Sequence, residues 1–186
     1  MKKIILSLLG VFVLVLAGIS IYVSMIDWNK HKEKITEQLM EITGKRVVFT
    51  GPVSMAVFPS PKLEASNVRV YSVVNQDLKN PLMIVKNVVA DLSLSALLSG
   101  NLDVKMMSLV SPEIIIKKKG DDINWLDSAK TNSQAKIKDI NVSLDSVLLN
   151  NATFTFIDED KDRKTVLNNV KAEIVADSLN GPYRVD

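Results

Sequence analysis

The hydrophobic pattern begins with one long apolar run. Ile4 to Ile26 are 23 residues without a charge, and as a helix at about 1.5 Å per residue they would cover roughly 34 Å, enough to cross a bilayer. Because Lys2 and Lys3 precede the run, the positive-inside rule places the amino terminus in the cytoplasm and the rest of the chain outside it. A cleaved signal peptide is the alternative, although its apolar region normally spans only about 7 to 15 residues. The pattern predicts a cytoplasmic tip and transmembrane anchor over residues 1–26.

A second pattern has apolar residues at helical spacing. They recur at intervals of seven, four and three residues: Trp28, Ile35, Leu39 and Ile42. Asp27 is placed to cap the start of this helix, and Gly44 stands where a helix-terminating glycine is common. We expect an amphipathic helix over residues 27–44 that packs on the start of the next domain; a position in the membrane interface is the alternative.

From Lys45 onward the period changes from near 3.6 residues to 2, as in strands whose successive side chains point to opposite faces. The alternating runs lie at residues 53–57, 63–70, 84–94, 102–106, 113–119, 140–149, 151–157 and 170–176. The pattern predicts a string of antiparallel strands over residues 45–186. A charged segment at residues 158–164 is typical of a hairpin turn.

A faint repeat runs through these strands. In it, an Asn-Val pair is followed two residues later by an aliphatic residue, and the pairs begin at Asn67, Asn87, Asn141 and Asn169. The intervals are irregular, so the repeat does not define a solenoid period. It is compatible with strands of similar type that follow one another along the chain.

Composition removes most enzyme chemistries. The chain has no cysteine and a single histidine, His31, so thiol chemistry and disulfides are excluded and a catalytic triad or multi-histidine metal site would depend on one position. No Gly-rich phosphate loop or Gly-x-Ser-x-Gly elbow is present. We therefore expect a protein that is not an enzyme, without catalytic, cofactor-binding or metal-binding residues.

The net charge is +2, and Lys2 and Lys3 account for it. The remaining basic and acidic residues balance, so the electrostatic footprint of a nucleic-acid-binding protein is missing.

The order of short motifs carries a resemblance to a known family. Asp27-Trp28 is followed by a helix that ends in Thr43-Gly44-Lys45-Arg46. Next come Gly51-Pro52-Val53, Phe58-Pro59-Ser60-Pro61-Lys62-Leu63, Asn67-Val68-Arg69-Val70, Leu94-Ser95-Ala96-Leu97-Leu98-Ser99-Gly100-Asn101-Leu102, Leu109-Val110-Ser111-Pro112-Glu113-Ile114 and Gly120-Asp121-Asp122-Ile123-Asn124-Trp125. Over about residues 1–126 this order resembles the amino-terminal region of the AsmA family of Gram-negative envelope proteins.

The resemblance implies an inner-membrane protein of outer-membrane biogenesis, with a periplasmic sheet whose apolar groove conducts phospholipid between the membranes. Its expected partners are membrane phospholipids, the inner membrane and other envelope proteins, and not nucleic acid. Members of the family are generally much longer, which implies a fragment or a truncated member. The physical logic is that an apolar sheet face without a second sheet over it must be covered by something, and acyl chains are suitable.

We therefore expect a mainly β fold with N-terminal helices: one transmembrane helix, an amphipathic helix, and a curved antiparallel sheet that begins an elongated β-groove. Alternation within residues 84–94 and 102–106 selects the positions that line the groove: Val88, Ala90, Leu92, Val104 and Met106. Alternation alone does not fix which of the two faces points inward. The polar members of the intervening set favour it as the outer face: Val85, Asn87, Val89 and Asp91.

The alternative function is a non-transporting scaffold, anchored in the membrane, that assists envelope assembly through protein contacts. Its sheet would close over its own core. The apolar face distinguishes the two functions, because an open trough favours lipid and a closed core favours the scaffold.

Overall fold

The fold is described from a computed structural model. It describes residues 27–57, 60–73, 78–99, 102–126, 142–176 and 183–185, together with scattered positions between 7 and 25. A 3-10 helix spans Trp28–His31, followed by helix α1 (Lys32–Thr43), and a short helix α2 spans Leu94–Leu98. The strands are β1 (Lys45–Phe49), β2 (Val53–Ala56), β3 (Lys62–Ser72), β4 (Met83–Leu92), β5 (Leu102–Lys119), β6 (Asp122–Ile123), β7 (Val142–Asp158), β8 (Arg163–Ala176) and β9 (Tyr183–Val185). The chain is therefore mainly β.

Both ends of the helical segment after residue 26 lie where the sequence places them. The Asp27 carboxylate accepts a hydrogen bond from the Asn29 backbone N–H at 3.2 Å. At the other end, Gly44 has a φ of 63° and donates its N–H to the Met40 carbonyl, the geometry for which glycine is favoured. The helix begins in 3-10 form rather than as one continuous α-helix.

The transmembrane helix of the sequence prediction is wrong for the described structure. In the part of the chain that the structure describes, no helix is both long and apolar enough to cross a membrane. A crossing needs about 20 apolar helical residues, whereas α1 has 12 and carries charged side chains on several positions. Most of Ile4 to Ile26 lies outside the described residues.

The nine strands of the described residues belong to one sheet, with the order β1-β3-β4-β5-β7-β8-β9. β2 pairs with β3 beyond the end of β1, and β6 pairs with β5. All neighbours are antiparallel except β5 and β7, which are parallel over almost their full length. The antiparallel prediction is wrong for this pair because alternation reveals the faces of a strand and not the direction of its neighbour. A parallel return needs a dozen or more residues, and the chain between β5 and β7 provides them.

A tight corner between β1 and β2 holds the N-terminal helices against the sheet. Gly51 donates its N–H to the Ser66 carbonyl at 3.0 Å, and its own carbonyl accepts a 2.6 Å hydrogen bond from Lys32 Nζ. The Asn29 side chain accepts from the Val53 N–H at 3.2 Å. A Cβ on Gly51 would lie only 2.5 Å from the Ser66 carbonyl oxygen, so this close approach requires glycine.

A row of left-handed residues crosses the sheet from this corner. Four strands each contain one residue with a φ between 49° and 56°: Asn67 in β3, Ser111 in β5, Asn151 in β7 and Asn169 in β8. The flanking register pairs place them at one level of the sheet, with Lys86 of β4 between Asn67 and Ser111, and the Asn151 side chain reaches the Ser111 hydroxyl at 3.4 Å. We call this row the crease.

The crease changes the alternation of each strand that crosses it. Apolar residues that share a face are three positions apart across it, instead of two: Ala65 and Val68, Val85 and Val88, Leu109 and Pro112, Leu149 and Ala152, and Leu167 and Val170. Irregular strand residues of this kind bend a strand. On the apolar side of the crease Val85 and Ala152 are 0% exposed, whereas Asn67 and Asn151 on the other side are exposed. The apolar face is therefore the buried side of the bend at the crease.

Replacing Gly51 with Ala should lower the free energy of unfolding by about 1–3 kcal/mol, because the added methyl group overlaps the Ser66 carbonyl. Chemical denaturation would measure the change. Gly120→Asn is the control: Gly120 has a positive φ, but a Cβ there meets no atom within 4 Å, and asparagine tolerates its backbone angles. Equal stability of both variants would contradict the close approach.

Replacing Asn67 or Asn169 with Val should cost about 1–2 kcal/mol each, because a β-branched residue is disfavoured at positive φ. Asn87→Val is the matched control, since Asn87 is an exposed strand residue beside the crease and does not have a positive φ. Valine suits an ordinary strand position, so this variant should retain its stability. If thermal melts show all three variants to be equally stable, the crease does not depend on left-handed residues.

Candidate functional site

The apolar face inside the bend is the candidate site, and we call it the trough. Its base is a cluster of buried side chains from five strands: Val53, Ala65, Val68, Val85, Leu109, Leu149 and Ala152. Trp28 of the 3-10 helix packs against this cluster from outside the sheet. Nearly all of these residues flank the crease, so the bend seals the base of the trough.

One wall of the trough contains most of the sequence-predicted groove positions. Ala90, Leu92 and Val104 form one buried cluster together with partly buried neighbours, which include Met107. Val88 packs against the base instead. The structure thus places these four residues on one face, and their contact with lipid stays a prediction.

Met106 is not part of this set. The pairing of Asp91 with Met106 and of Leu92 with Val104 leaves Lys105 as an extra residue in β5, and such a bulge reverses the alternation that follows it. Met106 consequently shares the outer face with Asp91 and is 38% exposed. Met107 occupies the inner position.

The position of Val85 differs from the prediction of which β4 side chains lie on the outer face. Strict alternation puts it on the outer face with Asn87, but the structure buries it completely in the base of the trough. The reason is the crease, which lies between Val85 and Val88 and shifts the pattern by one residue. Asn87, beside it, is exposed on the outer face as expected.

The opposite wall, beyond the crease, was not among the sequence-predicted site residues. It consists of two apolar rows on neighbouring strands of β5, β7 and β8: Ile114, Phe154 and Leu167, then Ile116, Phe156 and Thr165. The rings of Phe154 and Phe156 stack with centroids 6.3 Å apart. The signal was present in the sequence as period-2 runs at residues 113–119 and 151–157, but only the register shows that the two runs are adjacent.

This wall differs from the base in its exposure. Phe156 is 39% exposed and Leu167 is 49% exposed, although both side chains belong to the apolar face. Large apolar side chains left in water on one continuous surface are characteristic of a binding site. The trough is therefore sealed at its base and open along the wall formed by β7 and β8.

A charged row follows the two apolar rows toward the hairpin tips. Lys118 pairs with Asp158, and Asp158 pairs with Arg163. The two hairpins that carry these residues are tied together, because Gly120 donates its N–H to the Asp160 carboxylate at 2.6 Å and Glu159 donates to the Lys118 carbonyl at 2.9 Å. We call Lys118, Asp158 and Arg163 the rim row.

Asn124 and Trp125, which follow β6, form a strap that connects β5 to the edge strand β1. Lys45 donates from Nζ to the Trp125 carbonyl at 2.9 Å, and the Trp125 indole donates to the Ile115 carbonyl at 2.9 Å. Asn124 is held by the same segment of β5, since its side chain bonds to the backbone of Ile115 and of Lys117. The strap fixes the position of β5 relative to β1 and leaves β7 and β8 uncovered by it.

Within the described ranges, no group of three or more histidine, cysteine, aspartate or glutamate side chains is arranged to hold a metal ion. The chemistry that these residues offer is thus an apolar surface with a charged rim.

Comparison with known proteins identifies the family. No curated protein matches the chain. The AsmA family model matches residues 1–185, which extends beyond the motifs seen in the sequence to include β7, β8 and β9. The chain belongs to the AsmA family, which is associated with the cell envelope and with outer-membrane biogenesis.

Proposed function

We propose that the chain binds phospholipid in the trough and conducts it between the inner and outer membranes, from the periplasmic side of the inner membrane. The observation that carries the proposal is the open apolar wall, with Phe156 and Leu167 exposed on the same face as the buried base. Covering apolar surface contributes about 25 cal/mol per Å². Acyl chains are a suitable cover, because they are apolar and require no hydrogen-bond partner.

The strand order supports a path across the strands. Apolar rows continue from one strand to the next, and neighbouring strands lie about 4.8 Å apart. The rows of the open wall lie on three neighbouring strands, β5, β7 and β8, and therefore span about 10 Å across the strands. The buried base lies outside this span, because the protein itself covers it.

A scaffold that acts through protein contacts is the second candidate. The sealed base favours it, because Val85 and Ala152 are completely buried by the protein itself and need no ligand. The exposed wall favours lipid. Since both features occur in one trough, the occupant of the open wall decides between the two functions.

A photo-crosslinking amino acid at Leu167 should capture phospholipid in cells, because this side chain lies on the open wall. Val166 is the matched control: it is the next residue in β8, it is 42% exposed against 49% for Leu167, and it points to the outer face. Mass spectrometry of the purified adducts would identify the captured molecule.

Lipid adducts at Leu167 and none at Val166 would support the trough. Equal lipid labelling at both positions would show only nonspecific contact with membranes. Protein adducts at Leu167 without lipid would replace the lipid proposal with the scaffold.

A further inference from the structure

The wall formed by β5, β7 and β8 is graded from apolar to charged. Its first row, Ile114, Phe154 and Leu167, is entirely apolar, and its second row contains one hydroxyl, that of Thr165. The third row is the rim row, with Lys118, Asp158 and Arg163 on the same face. The wall therefore has the polarity profile of a phospholipid, with hydrocarbon on one side and a charged headgroup on the other.

The three charges of the rim row differ in their partners. The Asp158 carboxylate lies 3.8 Å from Lys161 Nζ and accepts a 3.2 Å hydrogen bond from the Lys161 backbone N–H. Among the described residues, Lys118 and Arg163 take part in none of the ion pairs, and both are exposed. Two cations are thus available on the face that carries the apolar rows.

The spacing of the two cations suits one phosphate group. They lie two strands apart, which corresponds to about 9.6 Å between their backbones, with Asp158 on the strand between them. The Asp158 carboxylate is engaged by Lys161, and both cationic side chains are long enough to reach past it to an anion above the row. Arginine and lysine both form charge-assisted hydrogen bonds to phosphate oxygens. The rim row lies about 7 Å beyond the second apolar row, two residues along each strand.

We propose that Lys118 and Arg163 bind the phosphate group of a phospholipid whose acyl chains lie on the two apolar rows. This inference rests on the proposed function, since it adds a headgroup site to the same trough. The shared chemistry is a phosphate oxygen, and its two sources, a lipid phosphodiester and free inorganic phosphate, are separated by the experiment.

The strands provide a matched control for this site. One residue away on the outer face, Lys117 pairs with Ile157 and Ile157 pairs with Lys164. Lys117 and Lys164 are thus on the same strands as Lys118 and Arg163 and carry the same charge, but they point away from the trough. A Lys117→Gln, Lys164→Gln variant removes as much charge as a Lys118→Gln, Arg163→Gln variant.

The experiment uses the full chain with the photo-crosslinking amino acid at Leu167. The chain is exposed to vesicles that contain equal amounts of phosphatidylglycerol and of diacylglycerol with the same acyl chains, and the two adducts are counted by mass spectrometry of the intact protein. The Lys118→Gln, Arg163→Gln variant should lower the ratio of phospholipid to diacylglycerol adducts about tenfold, because it removes two charge-assisted contacts. The Lys117→Gln, Lys164→Gln variant should leave the ratio unchanged.

The headgroup site would be overturned by an unchanged ratio in the Lys118→Gln, Arg163→Gln variant, or by an equal fall in both variants. Lipid capture at Leu167 would still support the proposed function in either case. Capture of neither lipid by the unsubstituted chain would overturn both. Inorganic phosphate in excess at constant ionic strength should leave the ratio unchanged, because a lipid held by its acyl chains presents its phosphate at a high effective concentration. A ratio that falls to the variant's value would assign the pair to the free anion instead.

Discussion

The structure depends on one constraint: its long strands must cross a bend and still present their apolar side chains on one face. A strand of regular alternation would present the same face on both sides of a bend only if its backbone deformed smoothly over many residues. Here each strand absorbs the bend at one position, and left-handed residues such as Asn67 and Asn151 supply the necessary backbone angle. The interval of three across the crease keeps the apolar side chains on the inside, as Val85 and Val88 show. The base of the trough is buried because of this shift.

The same bend determines what surrounds the trough. β1 and β2 are two successive strands along one edge of β3, and the corner between them lies at the level of the crease, where Gly51 meets Ser66. The corner also receives Lys32 and Asn29 from the helical segment. The N-terminal helices are therefore attached to the bend itself. On the far side, the Trp125 strap holds β5 to β1, while β7 and β8 extend beyond it and keep their apolar wall open.

Sequence periodicity predicted runs within β2, β3, β4, β5, β7 and β8, the helix ending at Gly44 and the mainly β character, because each of these follows from local spacing. The runs did not include β1, β6 or β9. Periodicity could not identify the parallel pairing of β5 with β7, which depends on where the chain returns. It also misassigned Val85 and Met106, since strict alternation fails at the crease and at the Lys105 bulge. Two pairs of the Asn-Val repeat mark the crease: Asn67 and Asn169 are left-handed residues, and the valine after each one resumes the inner face. Asn87 of a third pair does not have a positive φ, so the repeat alone does not predict where the left-handed residues lie. The pair at Asn141 lies outside the described residues.

The AsmA resemblance identified the family from local motifs, but neither the resemblance nor the periodicity could reveal the wall of Phe156 and Leu167, because it exists only after β7 and β8 are placed beside β5.

A trough that conducts lipid must hold an acyl chain at many positions with nearly equal strength, since a ligand moves along a path only when no single site binds it too tightly. The base is compatible with this requirement, because its buried residues at the crease are small or of medium size, such as Val85, Pro112 and Ala152, and pack closely with one another. The Phe154 and Phe156 rings lie nearly parallel to each other on the wall beside it. In the proposed function, specificity comes from the rim, where Lys118 and Arg163 add charge to a surface that otherwise accepts any hydrocarbon. The basic and acidic residues after Lys3 balance, which is consistent with such a division of roles, because strong uniform charge would retain every anionic headgroup that reached it.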